Sequence, residues 1–543
     1  MKNLLKKVIV LVIACACALG AFAGCGSYED PVEEVDPNRR QIYVSMFNGG
    51  LGTEWLTKDV KAQYEAFDPD IQVIIDTNYR DAVLSEMPGL ETDIFINNAD
   101  SYDLFATSGN LANITSWIEE DVYDANYEYV GKENGTVSIL DRIPEDFKDY
   151  YQFSTPGSYY VTPFYEGIFG IYYDADLFDA KQLYTYGSYG PDGVQGTLDD
   201  DLPANWNDFL DLLQLIKNES ITPFAFGNLD YIVKGFLNAV SAQHEGKNDF
   251  DLNRTFSGTD NTLGIINANA GTANFVELTK QEGRKAALAY ANEIIKTANC
   301  TYESRAGQSH TEAGAQYVQS VQTGDRIAMF FEGNYWQNES RATFSALEQI
   351  KDEWGYYKRN FKFMPIPKFD GTDDSGVLAS DNVGKNTLYA TGCESFIFVN
   401  NTRVKTSGAD AATDVHTQDV KKFYQWLNSN KACVTFSKHS GCFRTIDVKF
   451  SPTDLASCTS LTQNMYAYKY AETTEMCYAI NLCKTRINQS ETFHGFDFNS
   501  KLSNGTVTGS PFGYFKTNSG DLNNYFEGIY RYWTTVANFQ VLG

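Results

Sequence analysis

Hydrogen-bonding side chains and large aromatic rings recur together where the strand-like runs of this sequence end. Residues 92–96 lead into Asn97, Asn98, Asp100 and Ser101, residues 221–227 lead into Asp230 and Tyr231, and residues 324–331 lead into a glycine turn carrying Tyr335 and Trp336. Loops at the carboxyl ends of strands are where open α/β sheets bind ligands. A sugar ring has apolar faces that stack on Trp or Tyr and hydroxyls that need Asn, Asp or Glu partners, so this mixture suits a hydroxyl-rich ligand. Aromatics make up 14% of the chain, and most of them must fill cores. Only rings at strand ends therefore carry the argument. The loop 97–101 serves equally as a cap for a helix over 101–107.

Other chemistries are poorly represented. There is no His-Glu-x-x-His, Gly-x-Ser-x-Gly or Walker sequence, and the five histidines are scattered. Two carboxylates facing across a cleft would suffice for glycoside hydrolysis, and a chain with 70 acids does not exclude such a pair. A secreted carbohydrate-active enzyme and a surface adhesin therefore stand as alternatives to a binding protein. In the turn Asn48-Gly49-Gly50-Leu51-Gly52, with Trp55 just beyond, the Gly50-x-Gly52 spacing is not followed by the third glycine or the lysine of a phosphate loop. Its other reading is a turn that lets the chain pass close to a ligand or a neighbour. Asp192, Asp199, Asp200 and Asp201 lie in a Gly- and Tyr-rich loop over 183–202, read either as a calcium site without EF-hand ligand order or as a solvated surface loop.

Behind these residues stand alternating strand and helix signals, which predict an α/β fold. Residues 41–47 alternate as a strand, 54–68 as a helix and 71–75 as a strand, a βαβ unit. In the stretch 155–178, two aromatic-rich runs meet at Pro163–Gly167 around the lone carboxylate of Glu166. This reads as a crossing between two sheets or as one buried strand after an ordinary loop. Asn205 is placed to cap a helix reaching residue 220, and residues 282–297 are amphipathic. Further strands are expected over 324–331, 361–367 and 395–399, with a helix over 419–427.

At 543 residues the chain exceeds one comfortable core, so two or more lobes are expected. Lys2, Lys6 and Lys7 precede an apolar run of residues 8–23, short for a membrane span and suited to a secretory leader. The small residues before Cys25 resemble a bacterial lipobox, with Phe22 where Leu is usual, making Cys25 a candidate lipidated first residue. Loss of residues 1–24 removes three lysines and no acids, taking the formal charge from -27 to -30. Such a polyanion repels nucleic acid and offers anionic lipid no basic patch, which leaves the lipid anchor as the membrane contact. The acidic, Pro-containing tract to residue 40 reads as a tether. With Cys25 set aside as the anchor, seven cysteines remain, an odd number, with Cys433–Cys442 and Cys477–Cys483 among the open pairings.

Together these stretches resemble the family 1 extracellular solute-binding proteins of ABC importers, the group that includes the maltose-binding protein, over roughly residues 41–430. The carriers are the lipobox-like leader, the run 162–178 (Thr-Pro-Phe-Tyr-Glu-Gly-Ile-Phe-Gly-Ile-Tyr-Tyr-Asp-Ala-Asp-Leu-Phe), Pro-Ala-Asn-Trp at 203–206 with Ile-Thr-Pro-Phe at 221–224, and the run 324–336. The resemblance implies a type II periplasmic-binding-protein-like fold of two hinged lobes around a ligand cleft. It places lobe 1 at 41–163 and 324–375, and lobe 2 at 164–323 and 376–543 with a C-terminal extension. Crossings are expected near Pro163–Gly167, near Thr323 and between Pro367 and Cys393.

By the same resemblance the ligand contacts are Asn48, Gly49, Gly50, Trp55, Asn97, Asn98, Asp100, Ser101, Glu166, Asp230, Tyr231, Tyr335 and Trp336. Trp336→Ala is expected to weaken sugar binding without unfolding the protein. The implied function is that of a monomeric, lipid-anchored receptor on the outer face of the cell membrane. It would bind an oligosaccharide and deliver it to an ABC permease, with no catalytic residue and no cofactor.

Overall fold

The computed structural model describes residues 34–77, 86–98, 102–152, 155–227, 233–255, 257–260, 263, 265–269, 273–296, 299, 309–393, 395–408, 411–480, 498, 511–517 and 521–540. Strand β1 (Arg40–Met46) buries Ile42, Val44 and Met46. A wide helical turn, Trp55–Val60, runs into α1 (Lys61–Phe67) and buries Trp55, Leu56, Val60 and Tyr64. Then come β2 (Ile71–Asp76), β3 (Ile94–Asn98), α2 (Glu145–Gln152) and β4 (Val161–Pro163). Strand β5 (Tyr165–Asp174) is buried along all ten residues, as a run of aromatic and β-branched side chains demands.

Helix α3 (Trp206–Asn218) starts where the Asn205 side chain accepts the Asp208 N–H, and it buries Phe209, Leu212, Leu213 and Ile216 at helical spacing. After β6 (Thr222–Ala225) come α4 (His310–Thr323), β7 (Ile327–Gly333), and the short helices α5 (Trp336–Glu339) and α6 (Arg341–Glu348). Next are β8 (Phe361–Met364), β9 (Asn386–Thr391) and β10 (Ser395–Val399). Helices α7 (Val415–Leu427) and α8 (Asn430–Ser440), strand β11 (Phe443–Arg444), helix α9 (Ser460–Lys469) and strand β12 (Thr474–Tyr478) follow.

Two sheets result. The first runs β2-β1-β3-β10-β4, with β1 parallel to β2 and β3, and with β10 antiparallel to β3 and β4. The second runs β12-β9-β5-β7-β6, with β8 and β11 also pairing β5. Its register sets Ile171 of β5 opposite Phe331 of β7, and Phe169 opposite Tyr389 of β9. Each sheet carries its own helices, which makes two lobes.

Among the described residues the chain passes between them three times, between Pro163 and Tyr165, between β9 and β10, and between Ser440 and Phe443. The buried Arg444 guanidinium ties the third crossing to the first, with Nε donating to the Phe164 carbonyl at 2.6 Å and Nη2 to Asn428 Oδ1 at 2.7 Å.

This topology corrects the lobe boundaries expected from the sequence. Residues 327–333 and 361–364, assigned to lobe 1, pair with β5 and so belong to lobe 2. Strand β10 and helices α7 and α8, assigned to lobe 2, return to lobe 1. There Tyr64 of α1 packs on Phe423 at 4.7 Å and Trp55 on Phe436 at 5.1 Å. The cause is β5, a ten-residue strand buried on both faces that takes partners along its whole length.

Candidate functional site

A cavity of about 580 Å³ opens between the lobes. Lobe 1 lines it with Asn48, Gly50 and the residues up to Trp55, and with His439 from the last turn of α8. The turn after β1 is closed by its own first residue, because Asn48 Oδ1 accepts the Gly52 N–H at 3.1 Å and its carbonyl accepts the Leu51 N–H at 2.9 Å. Gly50 has φ +80°, and a β-carbon there would overlap the Glu339 carboxylate of the opposite lobe. Lobe 2 contributes Thr311, Asn338, Glu339 and Arg341.

Direct hydrogen bonds span the two walls. Asn338 Nδ2 donates to the Gly50 carbonyl at 2.7 Å, and Arg341 Nη2 to the His439 carbonyl at 2.7 Å. His439 Nε2 meets Asp59 Oδ2 at 2.5 Å, and His310 Nε2 meets Glu339 Oε1 at 3.5 Å. The bond to Glu339 raises the His310 pKa against the lowering effect of burial. Lys58 holds the Glu54 carboxyl below the usual carboxylate range. The Trp55 indole N–H, on the cavity wall, is buried without a hydrogen-bond partner among the described residues. A buried donor of this kind costs stability until an acceptor arrives.

Two tyrosines stand by the crossings. Tyr335 is 7% exposed, and its ring lies where side chains at Gly167 and Gly333 would stand; Tyr165 lies likewise over Gly392. Burial raises both phenol pKa values, and the charge of Glu339 adds to the rise, which links these rings to a cavity-lining carboxylate.

The structure therefore brings Asn48, Gly50 and Trp55 to one cavity, with Gly49 in the same turn at φ +53°. It does not bring Trp336 there. That ring is 1% exposed within lobe 2, 5.5 Å from Tyr317, 5.6 Å from Phe330 and 5.1 Å from Phe361. Trp336→Ala is consequently a core truncation, against the expectation that it would spare the fold. Glu166 is also turned away, fully buried and ion-paired with Lys469 of α9. It alternates along β5 with Tyr165 and Gly167, so it faces the side of the strand opposite Tyr335. Glu166, Tyr335 and Trp336 do not converge on one crevice. Asn97 is buried, its Oδ1 accepting the Asn98 N–H at 2.7 Å, while exposed Asn98 accepts from Ser395 at the second crossing. Asp100, Ser101, Asp230, Tyr231 and Cys25 lie outside the described residues.

Reasoning from sequence missed Tyr165, Thr311, Asn338, Glu339, Arg341 and His439. A signal existed for two of them. Once Gly333-Asn334 ends the strand, helical spacing puts Tyr335, Asn338 and Glu339 on one face and turns Trp336 inward.

The acidic loop holds its carboxylates with its own backbone and side chains and with Asn386. Asp199 accepts from Asp192 N at 3.2 Å, Thr197 Oγ1 at 2.7 Å and Asn386 Nδ2 at 3.0 Å; Asp201 accepts from Gly187 N at 2.7 Å and Asp200 from Gly196 N at 2.8 Å. Among the described residues no group of three or more His, Cys, Asp or Glu could hold a metal ion. Asp192 and Asp199 are buried, against the reading of a wholly solvated loop. Among the described residues no disulfide is formed, and Cys393, Cys433, Cys442, Cys458 and Cys477 are buried. Cys433 accepts from Arg444 at 3.8 Å and Cys442 donates to Asn334 at 3.5 Å, so the Cys433–Cys442 pairing is not formed. Cys477 is likewise free, and Cys483 lies outside the described residues.

Over residues 49–432 the sequence matches the family described as bacterial extracellular solute-binding protein. No curated protein matches it. Among solved structures, the apo form of RafE from Streptococcus pneumoniae is 14% identical, with a TM-score of 0.52 over 93% of this chain and 100% of that one. RafE in complex with raffinose is 15% identical, with a TM-score of 0.50 over 91% and 100%. A structure concerned with xylan utilization by the thermophilic bacterium Caldanaerobius polysaccharolyticus is 13% identical, with a TM-score of 0.54 over 91% and 99%. At these identities the likeness is one of fold, two lobes around a cleft. Among the described residues no helix is long and apolar enough to cross a membrane.

Proposed function

This chain belongs to the bacterial extracellular solute-binding proteins, a family of binding proteins rather than enzymes, and we propose that its solute is an oligosaccharide taken into the interlobe cavity. The single observation that carries this is the composition of the cavity wall. Amide, hydroxyl and carboxylate side chains from both lobes surround it, with an unpaired indole donor at Trp55. Hydroxyl-rich rings supply both the acceptors and the apolar faces that such a wall needs. RafE, similar in fold, has been solved with raffinose, which supports the same ligand class.

In this reading Asn48, Asn98, Trp55, Glu339 and Tyr335 contact the sugar, and Gly49 and Gly50 let the backbone approach it. Asp100, Ser101, Asp230 and Tyr231 are further expected contacts. Closure of the lobes removes water and strengthens the polar contacts of both at once. The closed form is the one presented to an ABC permease. Residues 1–24 act as a secretory leader, Cys25 carries the lipid, and the acidic tract to residue 40 tethers a monomeric receptor to the outer face of the membrane.

A thermal-shift screen with raffinose, maltotriose, xylo-oligosaccharides and chito-oligosaccharides tests this. A true ligand at 100 times its dissociation constant stabilises by about 2.7 kcal/mol. No shift with any mono- or oligosaccharide would sink the carbohydrate assignment, and turnover of a bound glycan would sink the transport-receptor one.

A further inference from the structure

We infer that Arg341 is a latch between the lobes, a positioning residue that holds the cleft closed through protein–protein contacts alone, whatever solute the cavity takes. Its guanidinium is fixed on three sides. Nε donates to Asn338 Oδ1 at 3.0 Å, Nη2 donates to the His439 carbonyl at 2.7 Å, and the cation sits 4.0 Å from the centre of the Tyr356 ring. It forms no ion pair with a described carboxylate.

Arg341 and Asn338 belong to lobe 2, while Gly50 and His439 belong to lobe 1. The two bonds that span the lobes at the cavity are coupled through one side chain. Because Asn338 Oδ1 accepts from Arg341, its Nδ2 is turned outward and reaches the Gly50 carbonyl. Moving the guanidinium would release both.

The acceptor on the far side is suited to a cation. His439 lies in the last turn of α8, where carbonyls lack partners within the helix and the helix dipole places negative charge. The planar fork of Arg341 serves Asn338 and His439 together, and Tyr356 orients it; a lysine offers only a single point charge. Gly50 completes the device, since any side chain there would collide with Glu339 and hold the walls apart. Ligand affinity scales with the fraction of molecules already in the binding-competent state. Arg341, itself on the cavity wall, thus tunes affinity through the closed population in addition to any contact with the solute.

Small-angle scattering and amide hydrogen exchange on the ligand-free full chain test the latch. The unmutated protein should be compact, with slow exchange through residues 48–54. Arg341→Ala should expand it and speed exchange in that turn on the order of ten-fold, as befits the loss of one charge-assisted hydrogen bond and the coupled bond to Gly50. Exchange in β5 should stay unchanged. Arg341→Lys should behave like Arg341→Ala. Should Arg341→Ala fail to fold, Asn338→Ala, which leaves Tyr356 its cation, should give the same expansion. Equal scattering and equal exchange for the unmutated chain and the variants would overturn the inference, as would an Arg341→Lys variant indistinguishable from the unmutated protein.

Discussion

The lobes meet along two edges built from different materials. At the α2 edge Phe147 packs on Tyr478 of β12 at 5.0 Å, both rings buried, and Lys247 bridges Asp146 at 2.7 Å and the Met476 carbonyl at 3.1 Å. At the α5 edge the contacts are hydrogen bonds to the Gly50 and His439 carbonyls, set around a cavity. Strands β12 and β7, which lead to these edges, stand on opposite sides of β5 in the second sheet. Apolar contact is lost only by exposing its surface to water, whereas a hydrogen bond exchanged for water costs little net free energy. On that difference the α2 edge is expected to act as the pivot of lobe closure and the α5 edge as its mouth.

Truncation at the pivot should therefore cost far more than truncation at the mouth. Phe147→Ala is expected to lower unfolding stability by about 3–5 kcal/mol in urea titrations, the range for a buried phenylalanine. Arg341→Ala should lower it by about 1 kcal/mol or less, since its partners regain water. Equal losses for the two variants would erase the distinction between the edges.

A second contrast sits within two consecutive residues of the mouth. Trp336→Ala should destabilise lobe 2 by about 3–5 kcal/mol, because its ring fills the space among Tyr317, Phe330 and Phe361. Tyr335→Ala should instead show its main effect in calorimetry with whichever sugar the thermal screen identifies, weakening binding about ten-fold or more as a stacking face is lost. A Trp336→Ala protein that melts normally but loses the sugar would reverse these roles.

Glu166 sharpens the pivot further, since the carboxylate of the first crossing is held by α9 of the C-terminal segment. Glu166→Gln leaves Lys469 buried without its counter-ion, an arrangement that costs about 3 kcal/mol, and Glu166→Gln with Lys469→Met should recover most of the loss. No recovery in the double variant would mean that Glu166 acts through some group other than Lys469.

These contrasts also mark what could be read from the residues alone. Strand β5, the Asn205 cap, β10 and the βαβ start were legible because each is signalled within a dozen residues by alternation, capping chemistry or a glycine turn. Lobe membership of β7, β8 and β10 was not, since strand pairing joins residues more than a hundred positions apart and nothing local marks which sheet a buried strand enters. At the site, the glycine turn near Asn48 and the aromatic pair at 335–336 were visible as a place. Which ring enters the aromatic core of lobe 2 depended on where the strand period gives way to the helical one, and a shift of one residue there exchanges Tyr335 for Trp336. Glu166 misled for a similar reason. Position beside a crossing does not say which face of β5 its side chain takes, and the α9 lysine that claims it lies 303 residues later.

The smallest expected effect is one of pH, and it belongs to the mouth. His310 gains a partner in Glu339, so its pKa is raised above the ordinary value of 6.5. A group raised on folding adds stability that is fully present below the unfolded pKa and is lost as pH rises through the folded one. Between pH 6 and pH 8 the melting temperature should thus fall. His416, paired with Asp93 at the start of β3, contributes with the same sign, since its hydrogen bond to that carboxylate raises its pKa as well. The two are separated by substitution: His310→Gln should flatten part of the slope and His416→Gln another part. Only His310→Gln should also alter exchange in the turn at residues 48–54, because Glu339 stands against Gly50 while Asp93 holds Arg403 and the Tyr43 N–H within lobe 1. A pH slope untouched by His310→Gln would remove the histidine from the mouth and leave the α5 edge to Arg341 and Asn338 alone.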